Sequence, residues 1–201
     1  FTTLYSFTSW DPTGANSDGY WPQGLVLSGS TLYGTASAGG TFGNGTVFRV
    51  NTDGSEFALL YGFSATDPIT RTNADGTRPG KGLVLSGNTL YGTATSGGSF
   101  SAGTVFKVNT DGSGFTILHS FAAMDTAGIN SDGSAPLGRL VLSGNTLYGT
   151  AVGGGSSGNG TVFIVNIDGT GFRNLHSFMA TPAYPAPRTN SDGAYPNGGL
   201  F

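Results

Sequence analysis

The apolar positions of the chain fall into short runs of four to seven residues with no 3.6-residue spacing. Over residues 82–121 four such runs stand out: Gly82–Leu85, Thr89–Thr93, Thr104–Val108 and Phe115–Phe121. Each is rich in Val, Leu, Phe, Tyr or Thr and is bounded by Gly, Asn or Asp, which predicts four strands. Glycines interrupt every candidate helix window. Within Thr104–Val108, alternation puts Val105 and Lys107 on one face and Phe106 and Val108 on the other. Ser86-Gly87-Asn88-Thr89 reads as a two-residue hairpin turn in which both central residues tolerate φ > 0. Asn109–Ser113 is a slightly longer hairpin closed by Asp-Gly. Residues 94–103 and 122–140 are long connections, so tight turns gather at one end of the sheet and long loops at the other.

This pattern recurs. Gly-Thr-Val-Phe begins at Gly45, Gly103 and Gly160. Leu-Val-Leu-Ser-Gly-x-Thr-Leu-Tyr-Gly-Thr-Ala begins at Leu25, Leu83 and Leu140. Phe-x-x-Leu-[Tyr/His]-[Ser/Gly]-Phe begins at Phe1, Phe57, Phe115 and Phe172. All three strings share one period of about 57 residues, so the chain is a tandem array. The expected units are a partial unit over 1–23, repeats over 24–81, 82–138 and 139–198, and the start of a fourth over 199–201. The fold class is all-β, built of four-stranded antiparallel repeats like propeller blades, with an open β superhelix as the alternative. Gly-Leu-Val-Leu suits the strand nearest the axis, and Phe106, Leu118 and Phe121 suit the space between blade faces. Phe1–Phe7 reads as a fourth-type strand and Gly199–Phe201 as a first-type strand, fourteen strands in all. With no complete fourth blade, the expectation is a segment of a longer array, or a subunit completed by others.

Composition changes meaning once the period is known. Gly, Pro and Ser make up a third of the chain (36, 9 and 21 of 201), which without a period would indicate disorder. Here they are turn residues at fixed positions. Charge is sparse, 8 basic against 11 acidic residues and net −3, so there is no basic stripe for nucleic acid. No apolar run reaches the length of a membrane span. The absence of Cys excludes disulfides and thiol chemistry. Since the chain begins at Phe1, a signal peptide is expected to have been removed or to lie outside it.

Candidate chemistry is thin. Seven of the eleven acids are Asp before Gly, which is turn chemistry. Asp11, Asp67 and Asp125 share one repeat position and are the only candidates for paired carboxylates of a glycosidase. The sole Glu, Glu56, lies near a hairpin. His119 and His176 occupy the position of Tyr5 and Tyr61, an exchange that suits strand packing instead of catalysis. Neither a Gly-x-Ser-x-Gly elbow nor a phosphate loop is present. The repeated Asn-x-Asp-Gly element (Asn16/Asp18, Asn73/Asp75, Asn130/Asp132, Asn190/Asp192) offers hard oxygens at alternate positions, a weak calcium pattern lacking a closing Glu. Its structural reading is an Asx turn leading into a proline. Trp10, Tyr20, Trp21, Phe42, Phe100, Tyr184 and Tyr195 at the long-loop end are candidates for glycan binding, or for loop packing and subunit contact. Asn44 and Asn159 begin N-glycosylation triplets.

The motifs Gly82-Leu83-Val84, Asn88–Thr93, Gly97-Gly98, Gly103–Phe106 and Asp111-Gly112 resemble the units of the GloVer repeat proteins, a bacterial tandem-repeat family. The resemblance runs the length of the chain, with departures at Arg139 (for Gly) and Phe201 (for Val). It implies secreted or surface-anchored proteins with propeller-like repeats and no assigned chemistry. The expected function is a non-catalytic extracellular structural or assembly module, self-associating and needing no cofactor. A lectin-like module using the long-loop face is the alternative, and a polysaccharide-active enzyme the weaker one.

Overall fold

The computed structural model describes residues 1–9, 11–12, 15–181 and 189–199. Its regular elements are all β and form three antiparallel sheets. The first blade is β1 (Tyr20–Ser28), β2 (Thr31–Ala38), β3 (Thr46–Asn51) and β4 (Ala58–Gly62), hydrogen-bonded in that order. The second contains β5 (Thr77–Pro79), β6 (Val84–Ser86), β7 (Thr89–Ser96), β8 (Thr104–Asn109) and β9 (Thr116–Ser120). There β5 and β6 both pair with β7, as two halves of one first strand. The third is β10 (Val141–Ser143), β11 (Thr146–Ala151), β12 (Thr161–Asn166) and β13 (Arg173–Ser177). The blades follow one another as an open, propeller-like array.

Tight turns and long loops segregate to opposite ends, as the connection lengths require. In the β6–β7 hairpin only Gly87 is left-handed (φ 55°), not Asn88, so the turn uses Gly at its first central position. The first strand differs more from expectation. Pro79 pairs with Ala94, so a segment expected to be loop extends the strand, while Gly80–Leu83 breaks it. In that break Lys81 N–H donates to Leu137 O of the next unit's first-strand entry (3.1 Å). A Cβ on Gly24 would stand 2.6 Å from Lys81 O. Successive units therefore abut through glycine-rich backbone at the inner edge, where side chains would not fit.

Phe1–Phe7 is not a strand. Its register partner, the third strand of a preceding blade, is absent among the described residues, so its backbone has no ladder to join. Its side chains are nonetheless seated, with Tyr5 and Phe7 packing on Phe48, Val50 and Phe57 of the first blade. The expected strand at Gly199–Phe201 falls largely outside the described residues.

The core lies between blades. In the first joint Tyr33, Val47 and Phe63 meet Leu83, Leu90, Phe106 and Val108. In the second, Tyr91, Val105, Leu118 and Phe121 meet Leu140, Leu147, Phe163 and Val165. Each third-strand Phe lies opposite a second-strand glycine: Phe48 on Gly34, Phe106 on Gly92, Phe163 on Gly149. A Cβ on Gly92 would sit 2.6 Å from Phe106 Cζ and 2.8 Å from Leu83 Cδ2. The joint is closed by ring stacking between units: Phe57 on Tyr5, Phe115 on Tyr61 and Phe172 on His119, with centroids 3.5–3.6 Å apart. Such pairs contribute about 0.5–1.5 kcal/mol beyond their buried area.

The long loops are tied by the Asn and Asp of the repeated element. Asp75 accepts hydrogen bonds from Tyr61 Oη (2.8 Å), Ser64 N–H (2.8 Å) and Ser64 Oγ (2.6 Å). Asp18 does the same with Tyr5 and Thr8, whereas Asp132 and Asp192 use His119 and His176 with the backbone N–H of Ala122 and Met179. Asn73 Oδ1 accepts from Gly76 and Gly98 N–H, and its Nδ2 donates to Ser64 O and Gly76 O. One residue thus joins three loop segments.

Gly92→Ala forces the Phe106 ring off its strand and should cost about 1–3 kcal/mol by urea denaturation. Asp75→Ala removes a charged acceptor from three donors and should cost about 2–3 kcal/mol in the same assay. The Tyr5–Asp18 pair predicts a pH response. Burial pushes the Tyr5 phenol up, as does its bond to Asp18, to about 12. Burial also acts to raise Asp18, but hydrogen bonds from Thr8 and Tyr5 outweigh it and leave the carboxyl below its ordinary value. A raised Tyr contributes stability fully below its unfolded pKa of about 10 and loses it as pH rises towards 12. A lowered Asp contributes above about 4 and loses its contribution as pH falls through the folded value. Thermal melts against pH should show both limbs, and Tyr5→Phe should reduce the alkaline one.

Candidate functional site

The structure distributes the sequence-derived candidates over three places. The Asn-x-Asp-Gly elements sit beneath the long loops, their carboxylates turned towards N–H and O–H donors of their own chain. A cation there would have to displace those donors. Among the described residues no three His, Asp or Glu side chains converge. Asp67 and Asp125 each cap a separate turn, Asp67 accepting from Ile69 and Thr70 and Asp125 from Ala127 and Ile129. Backbone N–H groups, first that of Thr70, hold the Asp67 carboxyl below its usual range. Asp11 accepts from Ala15 N–H in the same manner. His119 is a packing residue, stacked on Phe172 and bonded to Asp132 at 2.8 Å.

Asn44 and Asn159 spend their amide nitrogens on Ser64 O and Met179 O. Asn159 is buried as well. The atom that a glycan needs is in use at both positions in the folded chain.

The long-loop end carries the exposed aromatics. Trp21, Phe42, Phe100 and Tyr195 are all more than half exposed, with Trp21 at 68%. Tyr20 is half-buried and meets Trp21 edge-on at 4.9 Å. Trp10 and Tyr184 lie outside the described residues. Trp21, Arg78, Ala135 and Tyr195 share one repeat position, just before a proline, and all are left-handed (φ 53–56°). Holding a non-glycine residue there costs roughly 1–3 kcal/mol. Sequence reading singled out the aromatics but missed Arg78 and its neighbour Arg71. The available signal was the contrast of Arg78 with Trp21, Ala135 and Tyr195, and of Arg71 with Gly14 and Gly128, although Arg188 repeats Arg71.

The third place is the pair of outer blade faces. Leu83 and Leu140 are each 1% exposed, covered by the preceding blade, whereas the equivalent Leu25 is 51% exposed. Beside Leu25 lies a cleft of about 280 Å³ lined by Leu4, Tyr5, Phe7, Leu32 and Phe48. In the next joint Tyr33 and Val47 fill the equivalent space. At the far end, Leu175 is 48% exposed where its counterpart Leu118 is 6%. Tyr148, Val162 and Phe178 are likewise more open than Tyr91, Val105 and Phe121. The two outer faces are the two halves of the joint that closes twice inside the chain.

No curated protein matches the chain. Among solved structures it is similar to a chain from the crystal structure of a nidogen/laminin complex, at 20% identity over 77% of this chain and 48% of that one, TM-score 0.49. It is also similar to a chain from the crystal structure of the tricorn protease, at 13% identity over 79% of this chain and 13% of that one, TM-score 0.45. It therefore spans less than half the length of either. The model for the Gloeobacter/Verrucomicrobia repeat matches residues 1–130 and again 69–201. These two matches cover the repeated strings, the glycine–phenylalanine joints and the Asn-x-Asp-Gly ties described above, and the chain belongs to the Gloeobacter/Verrucomicrobia repeat family.

Proposed function

We propose that the chain is a non-catalytic assembly module whose open third-blade face receives the open first-blade face of another such unit. The observation that carries this reading is Leu25, 51% exposed at a position buried to 1% in both following units. A head-to-tail contact of this kind is heterologous and extends instead of closing as a dimer. Its chemistry is already present in the chain. Leu25 is exposed and Leu32 half-buried where Leu83 and Leu90 are buried inside, Leu175 is exposed on the opposing face, and Phe48 and Val50 are already covered by Tyr5 and Phe7. Each buried Leu or Phe contributes about 1.5–3 kcal/mol. An extracellular or cell-surface setting belongs to the same reading and is supported by the resemblance to secreted bacterial repeat proteins.

Glycan binding at the long-loop end is the second reading, favoured by the exposure of Trp21 and its edge-on contact with Tyr20. An exposed indole next to polar loops offers an apolar platform with a polar tip.

Sedimentation of the 201-residue chain should show concentration-dependent multimers. Leu25→Asp and Leu175→Asp should each reduce it to monomer while leaving the β circular-dichroism spectrum intact. A wild-type chain that stays strictly monomeric at high micromolar concentration would rule out end-to-end assembly.

A further inference from the structure

A second cleft, of about 290 Å³, opens between the long loops of the first and second blades. Arg71 and Arg78 line it, together with the hydroxyls of Thr66, Thr77, Ser96 and Ser101 and the carboxamide of Asn44. Among the described residues neither guanidinium lies within 4 Å of a carboxylate, and none of the four hydroxyls bonds to a protein group. Asn44 spends its Nδ2 on Ser64 O, leaving Oδ1 without a protein partner. Asn44 and Arg78 are joined through backbone, Arg78 N–H donating to Asn44 O at 2.9 Å, so the two blades hold the cleft at a fixed width.

The same place in the next joint is chemically blank. Counting along the repeat, Asn44 becomes Ala102, Thr66 becomes Met124, Arg71 becomes Gly128 and Arg78 becomes Ala135. Thr77 becomes Ser134, while Ser96 and Ser101 become Gly153 and Gly158. Two of these departures are conformationally costly. Gly128 (φ 77°) and Gly158 (φ 74°) are left-handed, and the cleft places Arg71 (φ 60°) and Ser101 (φ 61°) at those positions. Glycine adopts such angles without steric cost, whereas Arg and Ser do not. Both replacements add a polar side chain to one cleft.

We propose that this cleft binds an acidic saccharide, a sugar ring whose carboxylate is held by Arg71 and Arg78 and whose hydroxyls meet the Thr, Ser and Asn lining. Guanidinium forks match carboxylate geometry and stay charged at every physiological pH. The volume is at the low end for ligand sites, which fits one ring and not an extended chain. With so little apolar surface exposed by the lining residues, lipids and aromatic ligands have nothing to bury against. The site stands apart from the end-to-end faces and uses none of the aromatic residues at the long-loop end, Trp21 included.

Titration calorimetry of the purified chain with galacturonic acid tests this, with galactose, sulfate and inorganic phosphate as separate arms. Galacturonate should bind, galactose should not, and added salt should weaken the complex. Arg71→Gly and Arg78→Ala, the residues of the following unit at the same backbone angles, should each weaken binding at least tenfold with thermal melts no lower than that of the unsubstituted chain. Trp21→Ala should leave it unchanged. Equal binding of sulfate or phosphate would reduce the site to an oxyanion hole and overturn the saccharide assignment. No galacturonate binding, or binding lost in Trp21→Ala and kept in both arginine variants, would overturn the cleft itself.

Discussion

In each blade a phenylalanine ring lies flat across a glycine of the neighbouring strand, and the rest of the molecule is arranged around that contact. Removing one Cβ at Gly34, Gly92 or Gly149 lets the ring of Phe48, Phe106 or Phe163 occupy the sheet surface together with a leucine of the first strand. The ring then meets Phe7, Phe63 or Phe121 edge-on at 5.2–5.4 Å, and Phe57, Phe115 or Phe172 stack against it at 5.4–5.7 Å. Those last rings stack in turn on Tyr5, Tyr61 or His119 of the preceding unit. A ring column therefore crosses every joint, and its far end is the very Tyr or His that the long-loop Asp holds in place. Core packing and loop tethering are one continuous device.

That continuity explains why His and Tyr exchange freely at one position. What the position must supply is a flat ring for the incoming Phe and a polar atom for the Asp below it, and both side chains supply each. The exchange is visible in the sequence and is what favours a packing role for His119 and His176 there. The same holds for the Asn-x-Asp-Gly element, where the turn reading foresaw the Asn contacts. What it did not foresee was the span of the Asn, which reaches from its own turn to the Gly-Gly loop 25 residues later. Reach of that kind depends on how loops stack in space.

Strand existence was legible in the sequence because alternation and turn residues are local; strand limits were less so. Phe1–Phe7 carries a full strand pattern and makes no ladder, because pairing belongs to two segments and only one is present among the described residues. Pro79 marked a loop by its chemistry, yet it sits in β5 where its missing N–H is not needed. The arginine cleft was out of reach for a different reason. Its residues come from two blades and from segments up to 57 positions apart, and each alone reads as an ordinary loop residue.

The repeat itself supplies the argument for treating that cleft as functional. Positions that build the fold recur in every unit, since each joint solves the same packing problem with the same side chains. A position that departs from the repeat is released from that problem, and departures that lower stability require an offset from elsewhere. Ser101 is of this kind, standing where both other units have glycine (Gly43 and Gly158), and Arg71 is so in part, replacing the Gly14 and Gly128 of its neighbours while recurring at Arg188. Among the described residues neither side chain forms a hydrogen bond or ion pair with the protein that could return the conformational cost. A ligand in the cleft would supply such an offset, since both residues line it and both present hydrogen-bond donors.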